Sequence, residues 1–137
     1  MSFDDVVQVL DETHVVAVVT TRADGEPTAT PIWSMVVDGV PYVRSVNGPE
    51  AWWYRHVRAG RPVAFALADG SIAERDRDAA LELPRETVAT EYVPVDDEIQ
   101  QQIDDELRRK YSYSPESVDA MLSDAARTCT LRVVATA

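Results

Sequence analysis

An arginine and a serine at the end of a predicted strand are the first candidates for chemistry. Arg44 and Ser45 are followed, after one residue, by Asn47, Gly48 and Pro49, which are typical of the start of a helix. A guanidinium group, a hydroxyl group and the unpaired N–H groups of a first helical turn would converge there, and all three donate hydrogen bonds to anions. The segment indicates a phosphate or carboxylate site. The alternative is that Arg44 pairs with one of the many surface carboxylates and that Ser45 only begins a cap.

The preceding predicted strand carries residues that could hold a flat ligand. A proline inside a strand, here Pro31, removes a ladder hydrogen bond and places the strand at an edge or a bulge. Backbone groups of Thr30, Pro31 and Ile32 could then face a ligand instead of another strand, and Trp33 is large enough to wall a pocket. The alternative is that Trp33 is a core or dimer-interface residue, which is the commoner fate of a lone tryptophan.

Three aromatic residues and a cation follow within one helical turn, as Trp52, Trp53, Tyr54 and Arg55. A helix buries one stripe of side chains, so some of these residues must face another surface. Trp53 and Arg55 are candidate binding residues, because aromatic residues and arginine are enriched at interfaces. Arg58 and Arg61 extend the same basic patch. A dimer contact or a solvated helix end would have the same composition.

Most known arrangements for catalysis are missing from the sequence. It has no cluster of His and Cys at metal-binding spacing, no glycine-rich phosphate loop and no Gly-x-Ser-x-Gly motif. The two histidines, His14 and His56, are interpreted as a solvated strand-end residue and a helix residue. Cys129 lies in an apolar run without a second cysteine, which favours an inert buried thiol. Hydrolytic and metal chemistry are therefore disfavoured.

These candidates need a scaffold, and the hydrophobic pattern predicts one. The predicted strands are 14–21, 28–37, 40–46, 62–68, 85–93 and 128–135, and the predicted helices lie near 6–10, 49–60, 96–111 and 115–125. Asp24-Gly25 and Asp38-Gly39 are typical of tight hairpin turns. The charged interval 71–84 is left open, as a further strand or a long hairpin. Six or so strands in a meander, with helices outside, predict a small β-barrel in one domain, residues 1–137.

The composition limits the possible partners. The 137 residues are 45% hydrophobic, which is enough for one core. A formal net charge of -11 opposes binding to nucleic acid, so an anionic ligand must be held by a local basic cluster. The acidic N-terminus does not resemble a signal peptide, and no stretch approaches the roughly 18 apolar residues of a membrane span. We expect a cytoplasmic protein without membrane or nucleic-acid partners.

Three segments together carry a family resemblance: 15–21 followed by Asp24-Gly25-Glu26-Pro27, then Thr30-Pro31-Ile32-Trp33, then Tyr42-Val43-Arg44-Ser45 before a helix. In these the chain resembles the pyridoxamine 5'-phosphate oxidase-like split barrels, which include flavin- and deazaflavin-dependent reductases. Segment 53–63 is similar to the helix-to-strand segment of deazaflavin-dependent nitroreductase relatives. It departs from them with His56 where asparagine is usual and with Arg61-Pro62 in reversed order. The resemblance covers residues 6–68 and the final strand.

The resemblance implies a fold that is mainly β with flanking helices (α+β), a six-stranded antiparallel split β-barrel. It also implies a homodimer that binds FMN, or alternatively the deazaflavin coenzyme, between its subunits. The binding residues it implies are Arg44 and Ser45 for the phosphate, Thr30, Pro31, Ile32 and Trp33 for the ring, and Arg55, Arg58 and Arg61 as further phosphate candidates. Hydride transfer to a small-molecule substrate would need no protein nucleophile, because that chemistry belongs to the cofactor.

Three functions fit these expectations. The first is a reductase that uses FMN or the deazaflavin coenzyme. The second is a module that stores or carries a flavin, haem or other ligand without turnover, and the third is a structural or regulatory dimer with a vestigial pocket. The colour of the purified protein separates the third function from the others, and reduction of a bound flavin by a substrate separates the first two.

Overall fold

The computed structural model describes residues 2–136, which contain one antiparallel sheet of seven strands. The strands are β1 (Val16–Thr21), β2 (Pro27–Ile32), β3 (Met35–Val37), β4 (Val40–Arg44), β5 (Val63–Ala66), β6 (Arg85–Val93) and β7 (Thr130–Val134). The helices are α1 (Phe3–Glu12), α2 (Trp52–Arg58), α3 (Arg77–Ala80), α4 (Ile99–Lys110), α5 (Pro115–Met121) and α6 (Asp124–Arg127), with short 3-10 helices at Gly48–Glu50 and Gly70–Glu74. The predicted class, mainly β with flanking helices, is confirmed.

The sheet is a half-barrel whose two edges meet at one corner. The strand order is β2-β1-β5-β6-β7-β4-β3, so the edge strands β2 and β3 are consecutive in the chain. Only Trp33 and Ser34 join them, so Ile32 and Met35 are three residue steps apart, which span at most about 11 Å. The sheet must therefore curl until the end of one edge strand reaches the start of the other.

The prediction of six strands is wrong, because the predicted strand 28–37 is two strands. Ser34 interrupts the ladder: its N–H donates to the Tyr111 hydroxyl at 3.1 Å, and its own hydroxyl donates to the Leu10 carbonyl at 2.7 Å. Residues up to Ile32 pair with β1, whereas those from Met35 pair with β4. The break comes from contacts with α1 and with the end of α4, which no local pattern within the strand contains.

Both predicted hairpin turns are confirmed. Asp38 and Gly39 have φ angles of 51° and 78°, which a two-residue turn of this type requires. At the first hairpin, Gly25 has a φ of 89° and the Arg22 N–H donates to the Glu26 carbonyl at 2.9 Å. The turn of this first hairpin holds Arg22 directly beyond the end of β1.

The long helix α4 begins at Ile99 rather than at residue 96. The Asp97 carboxylate accepts from the Ile99 N–H at 2.9 Å and so caps the first turn. Its apolar side, which includes Ile103 and Leu107, is buried with Tyr111 against β3 and β4. Within residues 2–136, none of the helices has the length and apolar character that a transmembrane span requires.

The segment between β5 and β6 contains no strand among its described residues and is fixed to the sheet by Gly70. A Cβ atom at this position would lie 2.2 Å from the backbone nitrogen of Ala17, so only glycine fits. The Gly70 N–H donates to the Val15 carbonyl at 2.9 Å. Small buried alanines of β1, β2 and β5 let the segment approach closely. This docking brings Arg77, at the start of α3, to the side of β2.

Candidate functional site

Two cavities lie side by side along β2 and the first turns of α2. The first, the apolar cavity, has a volume of about 640 Å³, within the range of small-molecule sites. It is lined by Thr30, Pro31, Ile32, Trp33, Arg44, Ser45, Val46, Asn47, Glu50, Ala51, Trp52, Trp53, Arg77, Ser117, Ala120 and Met121. The ring-binding residues predicted from the sequence, 30–33, all lie in this one wall. Because β2 is an edge strand, Pro31 costs no ladder hydrogen bond on its open side.

The indole of Trp33 is fixed from behind by Tyr111. The two rings are parallel within 4°, and their centroids are 3.8 Å apart. The Tyr111 hydroxyl donates to the His14 carbonyl at 2.6 Å, which holds the phenol in place. Burial raises the pKa of Tyr111, so the phenol stays a neutral donor. The wall of the apolar cavity is therefore rigid at Trp33.

The second cavity, the arginine cavity, has a volume of about 770 Å³. It is lined by Arg22, Ala23, Asp24, Thr28, Thr30, Trp52, Arg55, His56, Ala59, Arg61 and Arg77. Within residues 2–136, four arginines thus line it together with one aspartate, in a protein whose net charge is -11. Such a local excess of positive charge attracts anions despite the charge of the whole molecule.

The two cavities share a rim, so that they form one groove. Thr30, Trp52 and Arg77 line both. Trp52 is 70% exposed, and the guanidinium carbon of Arg55 lies 4.8 Å from the centroid of its ring. The exposed indole of Trp52 and the side chain of Arg77 therefore lie between the apolar cavity and the arginine cavity.

His56 forms a buried part of the arginine cavity. The residue is 7% exposed, and its Nδ1 lies 2.9 Å from the hydroxyl oxygen of Thr20. Burial, followed by the charges of Arg61, Arg22 and Arg55, lowers the pKa of His56. The ring is therefore neutral at neutral pH and adds a hydrogen-bonding wall without adding charge.

Arg44 lies at the apolar cavity, but its charged group is engaged inside the protein. Its side chain is fully buried, and Nη1 lies 2.7 Å from Oδ1 of Asp104. Nη2 donates to the Gln100 side-chain oxygen at 2.6 Å, and Nε donates to the Thr130 hydroxyl at 3.0 Å. Burial lowers the pKa of Arg44, and Asp104 counteracts this effect. The placement favours the alternative interpretation of Arg44, an ion pair, although the carboxylate is buried rather than on the surface.

The other predicted site residues divide between the cavities and the core. Ser45 is buried, and its hydroxyl donates to the Gly48 carbonyl at 2.6 Å. Trp53 is 6% exposed and packs mainly in the core. Arg55 and Arg61 line the arginine cavity, whereas Arg58 lies over the ring of Tyr92 at 5.1 Å and lines neither cavity.

Sequence reasoning missed three residues of the arginine cavity. Arg22 lies in the first hairpin, directly after a predicted strand. Because it is far from Arg55 in the sequence, the pattern gives no indication that the two arginines line the same cavity. Arg77 lies in a run of alternating charges that resembles a solvated loop. Only the docking of Gly70 brings it to the site. His56 was noted as a departure from a family pattern, but its contact with Thr20 depends on tertiary packing.

The sequence of the chain matches one protein family. The model of one protein family, described as an uncharacterised protein conserved in bacteria (DUF2255), matches residues 6–133, nearly the whole chain. No curated protein matches the chain in sequence.

Comparison with solved structures confirms the split-barrel fold. The conserved hypothetical protein Rv2991 from Mycobacterium tuberculosis is 19% identical, with a TM-score of 0.61 over 100% of this chain and 81% of that protein. HutZ, the haem storage protein from Vibrio cholerae, is 15% identical, with a TM-score of 0.65 over 97% and 89%. A Listeria innocua protein, provisionally assigned as a pyridoxamine 5'-phosphate oxidase, is 15% identical, with a TM-score of 0.54 over 96% and 90%. These likenesses do not support the narrower resemblance to deazaflavin-dependent nitroreductases.

Proposed function

The chain belongs to the DUF2255 family of uncharacterised bacterial proteins, and from the geometry of its groove we propose that it binds a planar, negatively charged ligand of the flavin class. One observation carries the proposal: Thr30, Trp52 and Arg77 line both the apolar and the arginine cavity. A flat ring in the apolar cavity can therefore carry a phosphate that reaches Arg77. Flavin mononucleotide combines these two parts.

The apolar cavity suits an aromatic ring. Pro31, Ile32, Trp33 and Met121 present apolar side chains to it. A ring that enters loses contact with water, and stacking against an aromatic wall adds roughly 0.5–1.5 kcal/mol. Because Tyr111 already holds the Trp33 indole, little side-chain freedom is lost when a ligand binds.

The phosphate end is held by charge. Arg77 offers a guanidinium group and Thr30 a hydroxyl group at the shared rim. Hydrogen bonds to ionised groups contribute about 1.5–3 kcal/mol each, more than those between neutral groups. FMN should therefore bind more tightly than riboflavin, which has the same ring system and no phosphate.

Binding without turnover is the simplest function of this groove. A bound flavin supplies hydride transfer, and the protein supplies only binding, orientation and exclusion of water. Trp33, Trp52 and Arg77, which line the groove, would bind and orient the flavin. Reduction of a small molecule is an additional step, which is tested by bleaching the bound flavin with a reductant in the absence of oxygen and then following the return of its absorbance when candidate substrates are added.

Haem is the second candidate ligand. The likeness to the haem storage protein HutZ favours it, and its propionates would suit the arginine cavity. Among residues 2–136, those that line the apolar cavity include Met121 but no His, Cys or Tyr to bind the iron. His56 lies on the arginine side. This distribution of iron ligands favours a flavin over haem.

Parallel titrations test the proposal. The purified protein is titrated with riboflavin, FMN, the deazaflavin coenzyme and haemin, with flavin or deazaflavin fluorescence and the haem Soret band as signals. We expect saturable FMN binding, weakened in Arg77→Ala to the affinity of riboflavin. Arg58→Ala is the matched control, since Arg58 lines neither cavity. Absence of binding by all four ligands would contradict the proposal, and saturable binding of haemin alone would replace FMN with haem.

The homodimer implied by the family resemblance stays a prediction. Val46 and Trp52, 44% and 70% exposed, both line the apolar cavity and are large enough for a second copy to bury. We expect light scattering to give twice the mass of 15.2 kDa and Trp52→Glu to reduce it to that of one chain. A wild-type protein of 15.2 kDa would contradict the dimer.

A further inference from the structure

The arginine cavity is larger and more charged than one phosphate needs. Its volume of about 770 Å³ is that of a complete small-molecule site. Four guanidinium groups against the single carboxylate of Asp24 leave three positive charges. A phosphate ester carries between about 1.5 and 2 negative charges at neutral pH, so it would leave part of this charge unbalanced.

The guanidinium groups of this cavity also have few strong partners within the described residues. The Nε of Arg22 lies 3.6 Å from Asp24, and Nη1 of Arg61 donates to the Thr21 carbonyl at the long distance of 3.4 Å. The guanidinium group of Arg55 lies over the exposed Trp52 ring. Arg44, by contrast, is saturated by Asp104, Gln100 and Thr130. The donors of the arginine cavity are available, whereas those of Arg44 are not.

We infer that the arginine cavity is a second binding site, separate from the ring site, for a molecule that carries two adjacent phosphate groups. Arg22, Arg55 and Arg61 bind the diphosphate, and Arg77 at the rim is shared with the ring ligand. If Arg77 is engaged by the phosphate of a flavin, the other three arginines still exceed Asp24 by two charges. A diphosphate with one organic group carries between about 2.5 and 3 negative charges at neutral pH, enough to balance this excess. Its oxygens accept the paired N–H donors of guanidinium groups.

His56 supports a ligand of this kind. It is the buried wall of the cavity, held by Thr20, and it faces the same space as Arg22, Arg55 and Arg61. The imidazole offers the polyanion a hydrogen-bonding group, and because burial lowers the pKa of His56 in the free protein, it does not add to the repulsion among the arginines there. Asp24 is the one acidic group that lines the cavity.

Calorimetric titration with inorganic pyrophosphate and inorganic phosphate at equal ionic strength tests the site. We expect pyrophosphate to bind at least about tenfold more tightly than phosphate, because it engages more guanidinium groups at once. Arg55→Ala should lose about tenfold or more in pyrophosphate affinity. Arg58→Ala, on the same helix but outside the cavity, should lose less than about twofold, the effect of an exposed charge. Equal affinity for the two anions, or equal effects of the two substitutions, would overturn the inference.

A competition experiment tests whether the site is separate. Riboflavin is titrated with and without saturating pyrophosphate, and its affinity should stay within about twofold, because the ring lies in the other cavity. Displacement of riboflavin by pyrophosphate would reduce the two sites to one. If riboflavin does not bind at all, the proposed flavin function is wrong. The diphosphate site is then tested by the pyrophosphate and phosphate titrations alone.

Titration with a nucleoside diphosphate beside pyrophosphate shows whether the site recognises an organic group attached to the diphosphate. Tighter binding of the nucleoside diphosphate would mean that the ligand carries an organic group, with Trp52 and Ala59 as the nearest apolar surface. Equal binding would mean that the diphosphate alone is recognised. Both results support the site.

Discussion

Trp33 lies flat against Tyr111, with ring centroids 3.8 Å apart and planes 4° apart, so that the residue between the two edge strands is clamped by the end of α4. The same tyrosine binds the His14 carbonyl and the Ser34 N–H. A single side chain thus closes the corner of the half-barrel and orients the wall of the apolar cavity.

Substitution of Trp33 tests its role as this wall. We expect Trp33→Ala to weaken FMN and riboflavin alike, by about 5- to 10-fold, since it removes stacking and not charge. Trp33→Phe retains a ring and should recover most of the affinity. Flavin fluorescence titrations measure both variants. A loss confined to FMN would mean that Trp33 acts on the phosphate end.

Removal of Arg44 should affect stability far more than binding. Arg44→Ala leaves the buried Asp104 with Arg127 as its remaining partner, at 2.9 Å. We expect a loss of about 3 kcal/mol in the free energy of unfolding, at the lower end for a broken buried pair because Arg127 remains. Urea unfolding measures this loss. Arg108→Ala, in an exposed pair with Asp105, should change stability by less than about 1 kcal/mol. Equal midpoints for the two variants would contradict the assignment.

Lys110 should make stability rise with pH in mildly basic solution. Its Nζ donates to the Leu10 carbonyl at 2.7 Å and to the Ser34 carbonyl at 2.9 Å, and burial lowers its pKa to about 8. An unfolded lysine titrates near about 10.4, so between these values the unfolded chain binds more protons and the free energy of unfolding increases with pH.

Urea titrations between about pH 8 and 9.5, below the ionisation of unfolded tyrosines, measure this slope. We expect up to about 1.4 kcal/mol per pH unit in the wild type. Lys110→Met, which keeps an apolar stem, should be less stable and should have a flatter slope. The same slope in both proteins would show that another group is responsible.

His56 should take up a proton when a polyanion enters the arginine cavity. Burial and three arginines lower the pKa of His56 in the free protein, and a bound anion opposes the arginine charges and raises it again. The pyrophosphate affinity of the wild type, divided by that of His56→Gln at the same pH, should therefore increase as pH falls toward the lowered pKa of His56; this ratio cancels the protonation of pyrophosphate itself. Calorimetry in buffers of different ionisation enthalpy counts the protons. His56→Gln should remove the uptake that belongs to the imidazole, and an unchanged proton count would contradict this coupling.

The wall formed by residues 30–33 was easier to predict from the sequence than the arginine cavity, for physical reasons. Residues 30–33 are contiguous in the chain, at the end of the edge strand β2 and directly beyond it, so they lie together without any tertiary contact. The arginine cavity joins a hairpin, a helix and the segment after Gly70, whose association depends on tertiary packing. Arg44 stood in a sequence typical of an anion site, but α4 places Asp104 beside it. The break at Ser34 was missed for the same reason, since its partners Leu10 and Tyr111 are distant in sequence.

The indole N–H signals of the three tryptophans in a proton–nitrogen correlation spectrum test the central claim most directly, with assignments from Trp33→Phe, Trp52→Phe and Trp53→Phe. Trp33 and Trp52 line the apolar cavity, and Trp52 also lines the rim shared with the arginine cavity. We predict that FMN shifts both signals at saturating concentration and that inorganic phosphate leaves the Trp33 signal in place, because Trp33 lines only the apolar cavity. If excess FMN leaves the Trp33 and Trp52 signals in place, the groove is not the binding site of a flavin.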